Sequence, residues 1–348
     1  MEKVFDVTAL GELLIDFTEN GISSQGNPLL EANPGGAPCN VLAMLCKLGR
    51  RTSFIGKVGN DNFGRMLKET IEGVGIDSGN LILDDQVHTT LAFVHKLPNG
   101  DRDFSFYRNP GADMMLTKEE VQKERIAGSR IFHFGTLSFT HPGVREASCY
   151  AIDCAKEAGA LISFDPNLRE PLWASLEDAR EAISYGLSRC DILKISDNEV
   201  EFMTGETDYR KGAEILREKY GIPLMFVTLG PNGSMAFYKD LFVTAEPFLQ
   251  ETTIETTGAG DTFTACVLNG VLEYGMEGLN EQRLREMLTF ANAGASLITT
   301  RRGALKVMAE REEIEALIQS RLEKYPPDRQ IQHRQKNRLE RRIWICHQ

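Results

Sequence analysis

Short apolar runs alternate with amphipathic stretches along most of the chain. The runs are VTAL (7–10), TSFIG (52–56), RIFHFG (130–135), ALISFD (160–165), DILKIS (191–196) and LMFVTLG (224–230). Between them, residues 40–48, 143–158, 175–187, 211–220 and 281–298 read as helices. Strand and helix in alternation predict an α/β fold, a doubly wound and mainly parallel sheet sandwiched by helices. Ligands of such a sheet sit at the carboxyl ends of its strands, so the residues after each run are where chemistry is sought.

Two segments break the rhythm. Residues 13–35 hold LLIDF and then a stretch rich in Gly, Ser, Asn and Pro, and residues 87–110 read as a hairpin, TTLAFVHKL and RDFSFYR around the turn PNGD. Together they predict a small β lid, leaving 1–12, 36–86 and 111–327 as the α/β core. Residues 328–348 change character, with six Lys/Arg against two Asp/Glu, net +4 beside −15 for residues 1–327. This basic tail is expected to be disordered and dispensable.

Composition narrows the classes. A chain of 348 residues, 42% hydrophobic and 26% charged, can bury a sizeable core without covalent staples. Its net charge of −11 disfavours nucleic acid and anionic membrane as partners and leaves small molecules as the default. Seven cysteines, an odd number with no CxxC pair, signal neither a disulfide framework nor a zinc site and predict a reducing compartment. The first residues lack a basic stretch followed by a long apolar run, and no segment approaches membrane-spanning length, so a cytoplasmic location is expected.

The strongest local signal is ETTGAGD (255–261), ahead of the apolar run TFTACVLNGVL. Small residues let backbone amides converge at a helix N-terminus, where unpaired N–H groups and the positive dipole end favour an anion. Asp261 there fits two roles: an ordinary N-cap, or a carboxylate removing a hydroxyl proton during attack on a bound phosphate. PGGAPCN (34–40) sets Gly35 and Gly36 before another helix, with Asn40 able to hydrogen-bond a polyol or to cap a tight turn. Asp16, an acid among apolar residues, is either an exposed strand-end acid or a buried group that needs a partner such as a sugar hydroxyl pair. Arg169 in FDPNLREPLW fits a phosphate contact or a surface ion pair, and the acids of KISDNE (194–199) fit hydrated magnesium or a helix cap. The chain has no GxxxxGK[ST] loop, no HRD or DFG set, no HExxH helix and no GxGxxG fingerprint.

Taken in order, GELLIDF (11–17), PGGAPCN (34–40), IGKVGNDNFG (55–64), FYRNPGAD (106–113), FDPNLREPLW (164–173), KISDNEVEFMTG (194–205), VTLGPNG (227–233), TTGAGD (256–261) and FANAGA (290–295) resemble the landmarks of the ribokinase-like, phosphofructokinase-B-type carbohydrate kinases. The resemblance runs over residues 6–317, and FYRNPGAD and DPNLREPLW are most similar to fructokinases. It implies ATP-dependent phosphorylation of a sugar, D-fructose to fructose 6-phosphate. A kinase for 2-keto-3-deoxygluconate or ribose is the alternative, and a sugar- or nucleotide-binding module without turnover is the alternative of another class.

The resemblance also implies roles. Asp261 would be the base, and the amides of Gly258, Ala259 and Gly260 the anion hole. Asp16, Gly35, Gly36 and Asn40 would contact sugar, joined by Arg108 from the lid hairpin. Lys194, Thr228, Gly230, Gly233 and Asn292 would serve the nucleotide, with Arg169 near the phosphates and Glu199 ordering magnesium waters. Glu255 and Thr257 would face a monovalent cation, potassium, held against residues 295–303. Three positions depart from the pattern: Cys39 for Ala, Glu255 for Asp, and GALKVMA (303–309) for GAIPALP. Exposed lid strands often pair with another subunit, which adds a homodimer to the expectation.

Overall fold

The computed structural model describes residues 3–96 and 102–324. The chain enters at the middle of the larger sheet. There β1 (Phe5–Leu10) lies between β4 (Thr52–Gly59) and β8 (Ser129–Gly135), with β5 (Ile76–Asp84) beyond β4. Past β8 follow β9 (Leu161–Asp165), β10 (Ile192–Ser196), β11 (Leu224–Thr228), β12 (Ser234–Tyr238) and β13 (Leu241–Ala245). Every pairing is parallel except β11 with β12 and β12 with β13, which close one edge.

A parallel strand covered on both faces must be apolar throughout, and all eight residues of β4 are buried. Successive side chains take opposite faces. Ile192 belongs to the core under helices Ala37–Lys47, Ala259–Tyr274 and Glu281–Ile298, while Leu193 belongs to the core under Pro142–Glu157, Leu176–Leu187 and Tyr209–Tyr220. The mainly parallel, doubly covered sheet is therefore the architecture that the alternating pattern predicts.

The five expected helices are present, the last with its expected ends. The first starts at Ala37 rather than residue 40, because Pro38 suits a first helical turn, where its missing N–H is no loss. Helix Asn62–Gly73 and strand β5 lie outside the apolar-run pattern. As an edge strand β5 needs one apolar face only, and Asp77, Ser78, Gly79 and Asn80 interrupt its run.

A second, four-stranded sheet has the order β3–β2–β6–β7, formed by β2 (Leu14–Ile22), β3 (Pro28–Gly35), β6 (Leu91–Lys96) and β7 (Arg102–Tyr107). β2 and β3 form one antiparallel hairpin, β6 and β7 another, and the two join through a parallel β2–β6 pairing. Phe17 stacks on Phe93 across that junction, at 4.9 Å between ring centroids. The turn PNGD and the tail 328–348 lie outside the described residues. Because β1 ends at Leu10 and β2 starts at Leu14, the small sheet springs from the carboxyl edge of the large one. No helix among the described residues is long and apolar enough to cross a membrane, and the six described cysteines are free.

Candidate active site

The loop before helix Ala259–Tyr274 is held from outside. The amides of Ile254 and Glu255 both donate to the Thr299 carbonyl, and Glu255 Oε1 accepts from the Gly303 amide at 2.5 Å. The methylene by which Glu exceeds Asp is thus used to reach Gly303. Gly258 caps the helix in the left-handed region, φ 78°, and a Cβ there would lie 2.7 Å from that of Ala304. Ala259 corrects an expectation: its amide turns back to the Thr256 carbonyl at 3.2 Å and is not offered to a ligand. The amides of Gly258, Gly260 and Asp261 donate to no group among the described residues.

Asp261 stands in the first turn of this helix, buried, with Oδ2 accepting from Asn40 Nδ2 at 2.8 Å. Burial pushes its carboxyl up to about 6, against the lowering effects of the Asn40 bond, Lys194 and Arg169. Asn40 Oδ1 is buried and has no partner, which leaves an acceptor at the site for a ligand hydroxyl.

Asp16, Gly35 and Gly36 stand near the same place. Gly36 has φ 126°, and a Cβ on it would sit 2.5 Å from the Glu12 carbonyl oxygen. A Cβ on Gly35 would sit 2.5 Å from Asp16 Oδ2. Gly36 therefore excludes a side chain by conformation as well as space, whereas one at Gly35 would have to move the Asp16 carboxylate. Gly36→Ala is expected to abolish sugar turnover and lower the melting temperature, since strain of about 1–3 kcal/mol adds to a backbone clash; thermal denaturation and a rate assay check it.

Half-buried Asp16 has its carboxyl pushed up to about 7 by desolvation, eased by Arg169 and reinforced by Glu255 and Asp261. Glu12 was not expected. It is buried, accepts the Ala37 amide on Oε1 at 2.7 Å, and is likewise pushed up to about 7 by burial. A cavity is lined by Glu12, Ala37, Pro38, Thr136, Asn167 and Asp261, among others. The sequence signal for Glu12 is its place two residues past the end of β1, at the ligand edge of the sheet.

Other expected residues stand elsewhere. Arg108 was to reach the sugar, but its buried guanidinium donates to Asp113 at 2.8 Å, Thr140 at 2.7 Å and the Leu137 carbonyl at 3.1 Å. Lys194 was to serve the nucleotide. It is buried beside Gly260, 3.1 Å from Asp165 Oδ2, and its Nζ would be 3.2 Å from a Cβ on Gly260. Glu199 was to order magnesium waters, yet it closes a capping box with Ser196, its two oxygens accepting the Ser196 and Leu168 amides at 2.8 Å each.

Thr228 ends β11. Gly230 and Gly233 shape the turn after it, where a Cβ on Gly233 would lie 2.2 Å from the Ala245 carbonyl oxygen. Asn292 donates to that same carbonyl at 3.4 Å and to Glu246 at 3.1 Å, so Gly233 and Asn292 meet as supports of one segment. Thr257 lies in the loop ahead of Gly258. Arg169 is exposed at the rim, close enough to Asp16 and Asp261 to lower both their pKa values.

The model of the pfkB family carbohydrate kinases matches residues 5–311. Probable fructokinase-2 of Arabidopsis thaliana is 42% identical over 305 residues, 87% of this chain and 92% of that protein. Fructokinase-1 of Zea mays is 39% identical over 315 residues, covering 90% and 97%. Fructokinase with bound ATP from Xylella fastidiosa superposes with a TM-score of 0.83 at 27% identity, over 92% of this chain and 99% of that one. A double-mutant fructokinase from Vibrio cholerae O395, in a form with fructose, ADP and potassium ion bound, superposes with a TM-score of 0.81 at 27% identity, covering 91% and 99%. With nearly the whole described chain matched and the Gly258–Asp261 turn intact, this protein belongs to the pfkB family of carbohydrate kinases.

Proposed function

We propose that this kinase transfers the γ-phosphoryl group of ATP to the 6-hydroxyl of D-fructose. The observation that carries the reading is the meeting of Asp261, the unpaired amides of its own turn, and the unpartnered Asn40 Oδ1 at one point. The reacting hydroxyl lies against Asp261, and Asn40 Oδ1 is left to accept from a neighbouring hydroxyl of the sugar. Asp261 takes its proton as the oxygen bonds to the γ-phosphorus, the bond to the bridging oxygen breaks, and ADP departs. The amides of Gly258, Gly260 and Asp261, backed by the Lys194 ammonium, meet the negative charge that develops. A carboxyl held at about 6 is ionised at neutral pH while still basic enough to accept a proton. The rate should accordingly fall as pH drops below about 6, read from a pH profile of kcat/KM.

ATP and a divalent metal are the cofactors in this reading. Among the described residues no three His, Cys, Asp or Glu gather to hold a metal. Glu199 is spent on amides and Asp165 on Lys194. Those residues suit a magnesium ion carried mainly by the nucleotide's phosphates and waters, with Glu199 acting through the loop it fixes at Leu168. Bound there, the metal neutralises phosphate charge. Potassium belongs to the same proposal: Glu255 is fastened to Gly303, and a carboxylate among carbonyls suits a hard cation. The rate should rise with potassium when tetramethylammonium keeps ionic strength constant; a flat response removes the cation.

The small sheet leaves Ile22, Leu29, Leu30 and Tyr107 exposed, which supports a homodimer formed through it. The substrate assignment is tested by coupled ADP release over a panel of sugars. Fructose should give the highest kcat/KM; a preference for ribose or 2-keto-3-deoxygluconate would replace it.

A further inference from the structure

Two carboxamides of the small sheet lean on the segment 299–304 of the core. Arg302 Nη1 donates to Asn20 Oδ1 at 2.9 Å, across 282 positions of sequence, and a Cβ on Gly303 would lie 3.1 Å from Asn33 Oδ1. The other ends of both carboxamides are used inside the β2–β3 hairpin. Asn20 Nδ2 donates to Glu31 Oε2 at 3.2 Å, while Asn33 Nδ2 donates to Thr18 Oγ1 at 2.9 Å and to the Glu31 carbonyl at 3.3 Å. With the nitrogens spent in this way, the oxygens are what the hairpin turns to residues 302 and 303.

Each side of this contact leads to the site. On the core side, the Thr299 carbonyl accepts the amides of Ile254 and Glu255, the Gly303 amide donates to Glu255 Oε1, and a Cβ on Gly258 would lie 2.7 Å from that of Ala304. Segment 299–304 thus supports the loop from 254 to Gly258, and with it the turn that ends in Asp261. On the lid side, Asp16 stands opposite Asn33 and Thr18 opposite Glu31, so these four side chains share one face of the small sheet. One hairpin therefore carries both the Asp16 carboxylate and the carboxamides that meet residues 302 and 303. Arg302 and Asn20 are exposed, so the fold does not depend on the bond between them; what it fixes is where the hairpin stands against the loop.

We infer that Asn20 and Arg302 are positioning residues that latch the small sheet to segment 299–304, so that a sugar held by the hairpin and a nucleotide held at the Gly258–Asp261 turn strengthen each other's binding. The inference rests on the sugar-kinase reading above and adds the contact through which the two substrates are coupled. A ligand that fixes the hairpin also fixes, through residues 302 and 303, the loop that the other ligand needs. The second to bind then pays less to order it. Such coupling is reciprocal, each substrate tightening the other by the same factor.

The test measures the dissociation constant of D-fructose by calorimetry, with and without a non-hydrolysable ATP analogue and magnesium, for the full-length parent, Arg302→Ala, Asn20→Ala and the double variant. In the parent the analogue should tighten fructose about fivefold or more. Each single variant should cut that factor about threefold, the worth of one hydrogen bond, and the double variant should cut it no further than either single. Affinity for fructose without the analogue should stay within about twofold, since neither residue is placed on the sugar. A coupling factor that neither single variant changes, or losses that simply add in the double variant, would overturn the latch. So would a loss of fructose affinity equal with and without the analogue, which would make the contact a support of the sugar pocket alone. A parent that binds fructose equally well in both conditions overturns the inference and leaves the kinase reading standing. A parent that binds no fructose in either condition removes that reading, and the inference with it.

Discussion

Asp261→Asn should lower kcat by about 10² to 10⁴, the contribution of a general base, while nucleotide affinity stays within about threefold. The amide keeps the shape and can still accept from Asn40, so the loss is one of basicity. The same substitution should stabilise the protein above neutrality. Asp261 has a folded pKa of about 6 against an ordinary 3.8, so its contribution to stability is complete below the unfolded value and is lost as pH rises through about 6. At pH 8 the ionised carboxyl therefore costs the fold on the order of 2–3 kcal/mol, and the Asn variant is free of that cost. Melting curves without substrate should then separate at pH 8, with the variant higher, and converge near pH 4. A variant with kcat within about threefold of the parent would remove Asp261 from the chemistry. Glu12 and Asp16, also raised to about 7, carry the same sign and make the site a place where stability is given up for function.

Lys194→Met should produce the largest loss of stability. The lysine is buried, and although burial opposes its charge, Asp165 first and Glu199 next hold its pKa above the ordinary range. Removing it strands the Asp165 carboxylate, whose remaining side-chain partner is the Thr264 hydroxyl at 3.2 Å. Breaking a buried pair in this way costs about 3–5 kcal/mol. For a chain of this size that is a fall in Tm of about 4–7 °C. Asp261 also loses a neighbouring cation, so the acid limb of the pH profile should move to higher pH. Adding Asp165→Asn removes the stranded charge, which also raises the Asp261 pKa, so the double variant should recover much of the Tm and bring the acid limb back to lower pH. A single variant that melts with the parent would show that the pair is not buried as described.

The parts of the fold legible in the sequence were those where one physical demand dominates. Strands such as β4, β10 and β11 are buried on both faces, so their residues must be apolar in sequence and stand out against the helices. β5, at an edge, answers to a one-sided demand and is interrupted by polar residues. The turn at Gly258–Asp261 was legible because amide convergence needs small residues in a row. Arg108 and Lys194 were not, because a cation's role depends on which carboxylate the fold brings to it. Asp113 claims the first, and Asp165, twenty-nine residues before Lys194, claims the second. Glu199 shows the same limit: a helix-capping acid and a metal-ordering acid share one local sequence, and only the position of the Leu168 amide separates them.

Phosphorus and carbon NMR of the product formed from ATP, magnesium and D-fructose reads directly where the phosphoryl group goes. A phosphate coupled to carbon 6 of fructose, formed in step with ADP and absent with Asp261→Asn, is the result expected. ADP and inorganic phosphate accumulating together with fructose unchanged, or fructose phosphorylated equally well by the Asn variant, would contradict it.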